Sequence, residues 1–192
     1  MEFDLKHTKS ILFISLLSTA VVHAYIPSHV EHFKTYNACD NCDLTRIKLD
    51  QYSMNSGAKS NIKSTYLTGS YLSQIDFSNS SFIDVNFVKS YFYLCHFQKS
   101  TFSNVNFSFA DLSGNFFNGS IFKKTIFDNA NLENAEFSNT NLDGASFIDA
   151  NLKKAIFLDS NITQEQLNQA SSYACAILPD GSIYDNNGKI DC

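Results

Sequence analysis

The chain has 192 residues, with eighteen Phe, no Trp, two Pro and a formal net charge of −5. That length suits one domain with a sizeable core, and the mild acidity disfavours nucleic acid as a partner. Many Phe set among many short polar residues point to a regular alternation, in which a small set of positions takes all the burial.

In chain order, residues 1–24 read as a secretory signal. Lys6 and Lys9, with the α-amino group, outweigh Glu2 and Asp4; Ile11 to Val22 is apolar apart from hydroxyls; and Val22-His23-Ala24 precedes a cut after Ala24. The apolar run is too short to span a bilayer comfortably. An uncleaved anchor is the alternative, and either reading puts the body outside the cytoplasm. Cleavage removes two lysines and two acids, so the mature chain keeps a charge of −5. No membrane span is expected in the mature chain.

Residues 25–38 are expected to form an N-terminal cap. Ser28-His29-Val30-Glu31 reads as a capping box, opening a short helix that lays Ile26, Val30 and Phe33 against the body of the chain. Residues 39–167 are governed by a period of five. From Leu67 every fifth residue is Leu, Phe or Ile as far as Leu167, with no step missed. Two places before each centre the side chain is usually small, as in Ser70, Ser80, Ser90, Ala110, Ala130 and Ala150. Such a period matches neither an α-helix nor a flat strand. Upstream, Leu44, Leu49 and Met54 are centres of an earlier run. The next is Ile62, eight residues after Met54, so Ser53 to Ser60 is expected to bulge out as a loop.

Residues 168–192 are expected to form a C-terminal cap with a turn segment. Thr163-Gln164-Glu165-Gln166 is a second capping box, opening a short helix through Ala170. Leu178 to Ser182 is a turn between two short extended segments, and Asp185-Asn186-Asn187-Gly188 is a further turn signal.

Ala130-Asn131-Leu132-Glu133-Asn134 and Ala150-Asn151-Leu152-Lys153-Lys154 resemble the unit of the pentapeptide-repeat family. The resemblance implies an all-β fold, a right-handed quadrilateral β-helix with short helical caps. Each pentapeptide would form one side of a square coil, and twenty residues one turn. The central and small residues would point inward and the other three outward. Stepping by twenty then stacks Phe77, Phe97, Phe117, Phe137 and Phe157 on one side, and Phe87, Phe107, Phe127 and Phe147 on another. Ser80, Ser100, Ser120, Thr140 and Ser160 become a hydroxyl column. Asn115 falls at an inward small position between Cys95 and Ala135; a buried amide needs partners, so a local bulge or a bound water is expected there. The stretch from Val30 and Phe33 to Cys39-Asp40-Asn41-Cys42-Asp43-Leu44 is similar to the lead-in of exported members of the family.

All five cysteines follow residue 24, and an oxidising compartment favours pairing. Cys175 and Cys192 flank the terminal turn segment and are expected to join. Cys39 and Cys42 either close a small disulfide or stay as packed thiols, while Cys95 reads as an inert core thiol. His29, His32, Cys39 and Cys42 are four zinc-type ligands by chemistry, but the lead-in resemblance accounts for the cysteines without metal. No cofactor is expected. No nucleophile, base and orienting acid assemble at a stated spacing, so no enzyme is expected.

Some members of the family are DNA mimics that bind gyrase. Five coils span about 25 Å, over which duplex DNA presents about 15 charges. Residues 62–166 carry ten acids and seven lysines, a net of −3, so mimicry is the secondary reading. The leading expectation is an exported scaffold contacting a protein or envelope component, with a homodimer also compatible. Its candidate contact patch is Tyr71, Tyr91, Tyr93 and Leu94 on one side, with Val88 and Phe109 on the adjoining one. The competing expectation is that the Ser53–Ser60 loop or the N-terminal cap covers this patch.

Overall fold

A computed structural model describes residues 25–51, 59–185 and 192. The signal-like segment 1–24, Met54 with most of the expected loop, and most of the turn at 185–188 lie outside the described residues. Helix α1 (Pro27–Tyr36) comes first, then eight three-residue strands: β1 (Ala38–Asp40), β2 (Lys48–Asp50), β3 (Asn61–Lys63), β4 (Tyr71–Ser73), β5 (Ser81–Ile83), β6 (Tyr91–Tyr93), β7 (Thr101–Ser103) and β8 (Ile121–Lys123). Helix α2 (Gln164–Gln169) comes after them.

The strands stack in parallel as a quadrilateral β-solenoid. One sheet runs β1-β3-β5-β7-β8 and the other β2-β4-β6. Through the middle of the prism each residue pairs with the one twenty places on: Ser81 with Thr101, Tyr71 with Tyr91, His96 with Phe116. With the sides numbered in chain order, the inward centres from the third coil to Phe157 are Phe82, Phe102, Phe122 and Leu142 on the first side; Phe87, Phe107, Phe127 and Phe147 on the second; Phe92, Leu112, Leu132 and Leu152 on the third; and Phe97, Phe117, Phe137 and Phe157 on the fourth. All are fully buried. Burial of each such side chain stabilises by roughly 1.5–3 kcal/mol.

The rings settle into ladders. On the fourth side Phe77, Phe97, Phe117, Phe137 and Phe157 stack with centroids 5.2, 5.1, 4.9 and 5.4 Å apart. On the second side the spacings are 5.0, 5.3 and 5.2 Å. Between sides the rings meet edge to face, as at Phe117 and Phe122, the geometry that an aromatic quadrupole favours.

The hydroxyl column is a hydrogen-bonded ladder. The amides of Ser60, Ser80 and Ser100 donate to Oγ of Ser80, Ser100 and Ser120 at 2.9, 3.0 and 3.0 Å. The hydroxyls of Ser100 and Ser120 donate in turn to the carbonyls of Phe77 and Phe97. Asn115 plays the same part on the fourth side. Its Oδ1 accepts from Cys95 N at 2.7 Å, and its Nδ2 donates to the carbonyls of Phe92 and Ser113. The expected bulge is absent: His96, Phe116 and Glu136 keep the twenty-residue step through this point. The amide is satisfied by backbone, because it reaches the two groups that a serine reaches on the first side.

The step is twenty-three, not twenty, between the first two levels: Cys39 pairs with Ile62 and Leu49 with Leu72. Three extra residues therefore lie between Asp50 and Asn61, the offset that the misplaced centre at Ile62 predicts. Helix α2 inserts one more, since Asn151 pairs with Ser172 and Ile156 with Ile177. Leu167, the last centre of the five-residue count, is buried on this helix rather than on a coil. Two further sides then carry the parallel pairing past Leu167. An antiparallel pairing of Ile177 with Ile183, across a turn closed by Gly181 N to the Leu178 carbonyl, ends it.

Helix α2 begins with the expected capping box at Thr163 and Gln166. Gln166 also donates from Nε2 to the carbonyls of Leu142 and Ala145, satisfying the coil beneath. Helix α1 differs from expectation. Its N-cap is Ile26, without a side-chain cap, and Pro27 takes the first turn. Proline suits that position because its missing N–H would be unsatisfied anyway, so Ser28 lies inside the helix. Val30 and Phe33 are buried on the first coil, while Ile26 stays exposed. No described helix is long and apolar enough to cross a membrane.

Candidate interaction surface

Each pentapeptide turns its corner with a residue in the left-handed region, such as Asn79, Lys89, Lys99, Asn129, Asn139 or Gly119. Asn, Asp and Gly adopt that conformation most readily. Leu94 (φ 50°) and Phe109 (φ 60°) also occupy it. A bulky side chain there costs on the order of 1–2 kcal/mol. Both side chains are exposed, Phe109 at 56%, so burial does not offset that strain.

The residue before each centre has its own rule. On the third side Asp111, Asn131 and Asn151 each accept, through Oδ1, the backbone N–H two residues on. They also join across levels: Asn131 donates to Asp111 and Asn151 to Asn131. Tyr71 and Tyr91 occupy the two levels below in the same column and have no such acceptor. They stack on each other instead, centroids 5.0 Å apart and planes 8° from parallel. Both rings are exposed, as are Tyr93 and Leu94 at the far end of the same side. Val88 is half-buried on the second side. Partial desolvation, then the Asp111 carboxylate and then Tyr71 and Tyr93, hold the Tyr91 hydroxyl above the usual tyrosine range. It stays a neutral donor.

The six residues singled out in the sequence thus fall on two adjoining sides over neighbouring levels. The structure adds others that stepping by twenty would have found. Past the Leu94 corner, His96 stacks on Phe116 at 4.9 Å, and Gln98 Nε2 lies 3.2 Å from His96 Nδ1. Tyr66, 59% exposed, stands on the second side, two levels below Asn106 in its column. Helix α1 packs on β1, in the sheet opposite β2-β4-β6, so this helix does not cover the patch, while most of the Ser53–Ser60 loop lies outside the described residues.

The sulfur chemistry lies elsewhere. Cys39 joins Cys42, and Cys175 joins Cys192. Cys95 is a buried free thiol whose pKa burial pushes up to about 12. His29 Nδ1 accepts the N–H of Asp43 at 2.9 Å, and His32 packs against Tyr36. Among the described residues no group of His, Cys, Asp and Glu is gathered as a metal set.

A family model described as pentapeptide repeats matches eight copies, over residues 60–98, 90–129, 100–139 and 130–164. No curated protein matches the chain. Among solved structures the chain is similar to HetL, a pentapeptide repeat protein involved in heterocyst differentiation regulation from the cyanobacterium Nostoc: 15% identity, TM-score 0.40, 84% of this chain and 100% of that one. A pentapeptide repeat protein of the Arabidopsis thaliana thylakoid lumen gives 21% identity, TM-score 0.44, and coverage of 63% and 81%. Full-length QnrB1, a plasmid-mediated fluoroquinolone resistance protein, gives 18%, 0.35, and 73% and 84%.

Proposed function

The chain belongs to the pentapeptide-repeat family, and from that premise we propose that it is an exported, non-catalytic scaffold that contacts a protein or envelope component through the aromatic patch of its second and third sides. One observation carries this reading. Where the fold rewards Asn, Asp or Gly, the patch has Tyr71, Tyr91, Leu94 and Phe109, each exposed. The fold gains only the stack of Tyr71 on Tyr91 from these choices, and contiguous exposed apolar surface marks interaction sites. Tyrosine suits the role because its ring is apolar and its hydroxyl tolerates water.

Export is supported by the signal-like residues 1–24 and by four cysteines joined in pairs, a chemistry of oxidising compartments. A non-catalytic role is supported by the interior, which Phe ladders fill. In this reading residues 25–38 cap one end, residues 168–192 add two last sides and a closing turn at the other, and residues 39–167 present the face.

The test replaces Tyr91 and Tyr93 by Ser and measures thermal stability together with in-cell cross-linking. The variant is expected to keep its melting temperature and lose the cross-linked partner. Unchanged cross-linking, or a destabilised variant, defeats the reading. Fractionation of the tagged chain tests export, and retention in the cytoplasm would overturn it.

A further inference from the structure

The outer column of the third side has a self-complementary order. From the N-terminal end it reads Lys48, Tyr71, Tyr91, Asp111, four successive levels of parallel pairing. Inverted across a two-fold axis lying between the two tyrosine levels, each Tyr71 meets the other copy's Tyr91, and each Lys48 meets the other copy's Asp111. The neighbouring column, Asp50, Ser73, Tyr93 and Ser113, inverts as well, setting Asp50 against Ser113 and Ser73 against Tyr93. Neither column sets like charges against each other. Among the described residues neither Lys48 nor Asp111 is ion-paired within the chain, whose ion pair there is Lys34 with Glu31. Only Oδ1 of Asp111 is used by the hydrogen bonds found there.

We propose that the patch pairs with a second copy of this chain, antiparallel and face to face, with the tyrosine rings at its centre and two Lys48–Asp111 pairs at its rim. This rests on the reading of the patch as a contact face, and names its occupant. An isologous interface must be self-complementary in this manner, and rim charges of opposite sign set the register. Four levels at about 4.8 Å cover about 20 Å of the prism, which places the dimer among small, transient interfaces.

Sedimentation of the purified protein across micromolar concentrations tests this. The wild type is expected to show a monomer–dimer equilibrium; a monomer throughout overturns the proposal. Tyr71→Asn with Tyr91→Asn gives the column the residue it carries at Asn131, so the fold is kept, checked by circular dichroism. That variant is expected to be monomeric, and persistent dimers overturn the face. Lys48→Glu and Asp111→Lys should each weaken pairing about tenfold or more, and the two together should restore it. Lys48 itself shows that the column takes a lysine. Failure of the double variant to restore pairing overturns the antiparallel arrangement. A wild type that stays monomeric but loses a cross-linked partner on Tyr91→Ser/Tyr93→Ser sinks self-pairing and leaves the broader reading standing.

Discussion

The inner column of the fourth side runs Phe77, Phe97, Phe117, Phe137, Phe157, while the outer column of the third runs Lys48, Tyr71, Tyr91, Asp111, Asn131, Asn151. Both repeat at every turn, yet one holds a single residue type and the other changes character twice. Inside, each ring touches the rings above and below at about the coil spacing, so any smaller side chain leaves a void. Outside, the backbone asks only for a residue that tolerates solvent, and an Asn or Asp that closes a turn is a modest gain. The freedom of the outer column is what makes its aromatic segment informative. On the proposed reading, the stacked pair of tyrosines there serves a contact face.

The sharpest way to break this contrast is Phe117→Ala. It removes the ring between Phe97 and Phe137, and should cost roughly 3–5 kcal/mol by cavity formation, measured by urea denaturation. A cost as small as that of an outer-column change would end the distinction. Asn115→Ala comes next: it strands the Cys95 N–H and the Phe92 carbonyl in the core, at about 1–3 kcal/mol. Asn115→Ser should recover part of that loss, since serine serves both kinds of group on the first side. Smallest is Tyr91→Asn, expected within about 0.5 kcal/mol of wild type; a large loss would show that the ring belongs to the structure and not to a partner.

The period, the ring columns, the serine ladder and the α2 capping box are readable in the sequence, because each is a repeated or strictly local pattern. The start of α1 is not. Ser28 to Glu31 has the form of a capping box, but Pro27 and the bond from Ile26 N to the Asp43 carbonyl fix the helix earlier in the chain. Asn115 misleads because its satisfaction depends on backbone groups twenty and twenty-three residues away. The pairing of His96 with Phe116 is within reach, since stepping by twenty brings them together. The continuation at Ser172 and Ile177 is hidden by the single residue that α2 adds to the count. As for the patch, its positions are legible, but the left-handed strain at Leu94 and Phe109 needs the backbone.

The two places where the twenty-residue step fails have a consequence for how such a chain changes length. A residue added within a side would turn inward groups outward, the fate of any one-residue slip in a strand. Between Asp50 and Asn61 three residues have been taken up, and at α2 one, with the columns returning to phase on the far side. The winding is thus set by what fits inside and not by counting along the chain. These two joints are where segments can be grafted, at an entropic cost that rises only slowly with added length, while the rest of the prism keeps its dimensions.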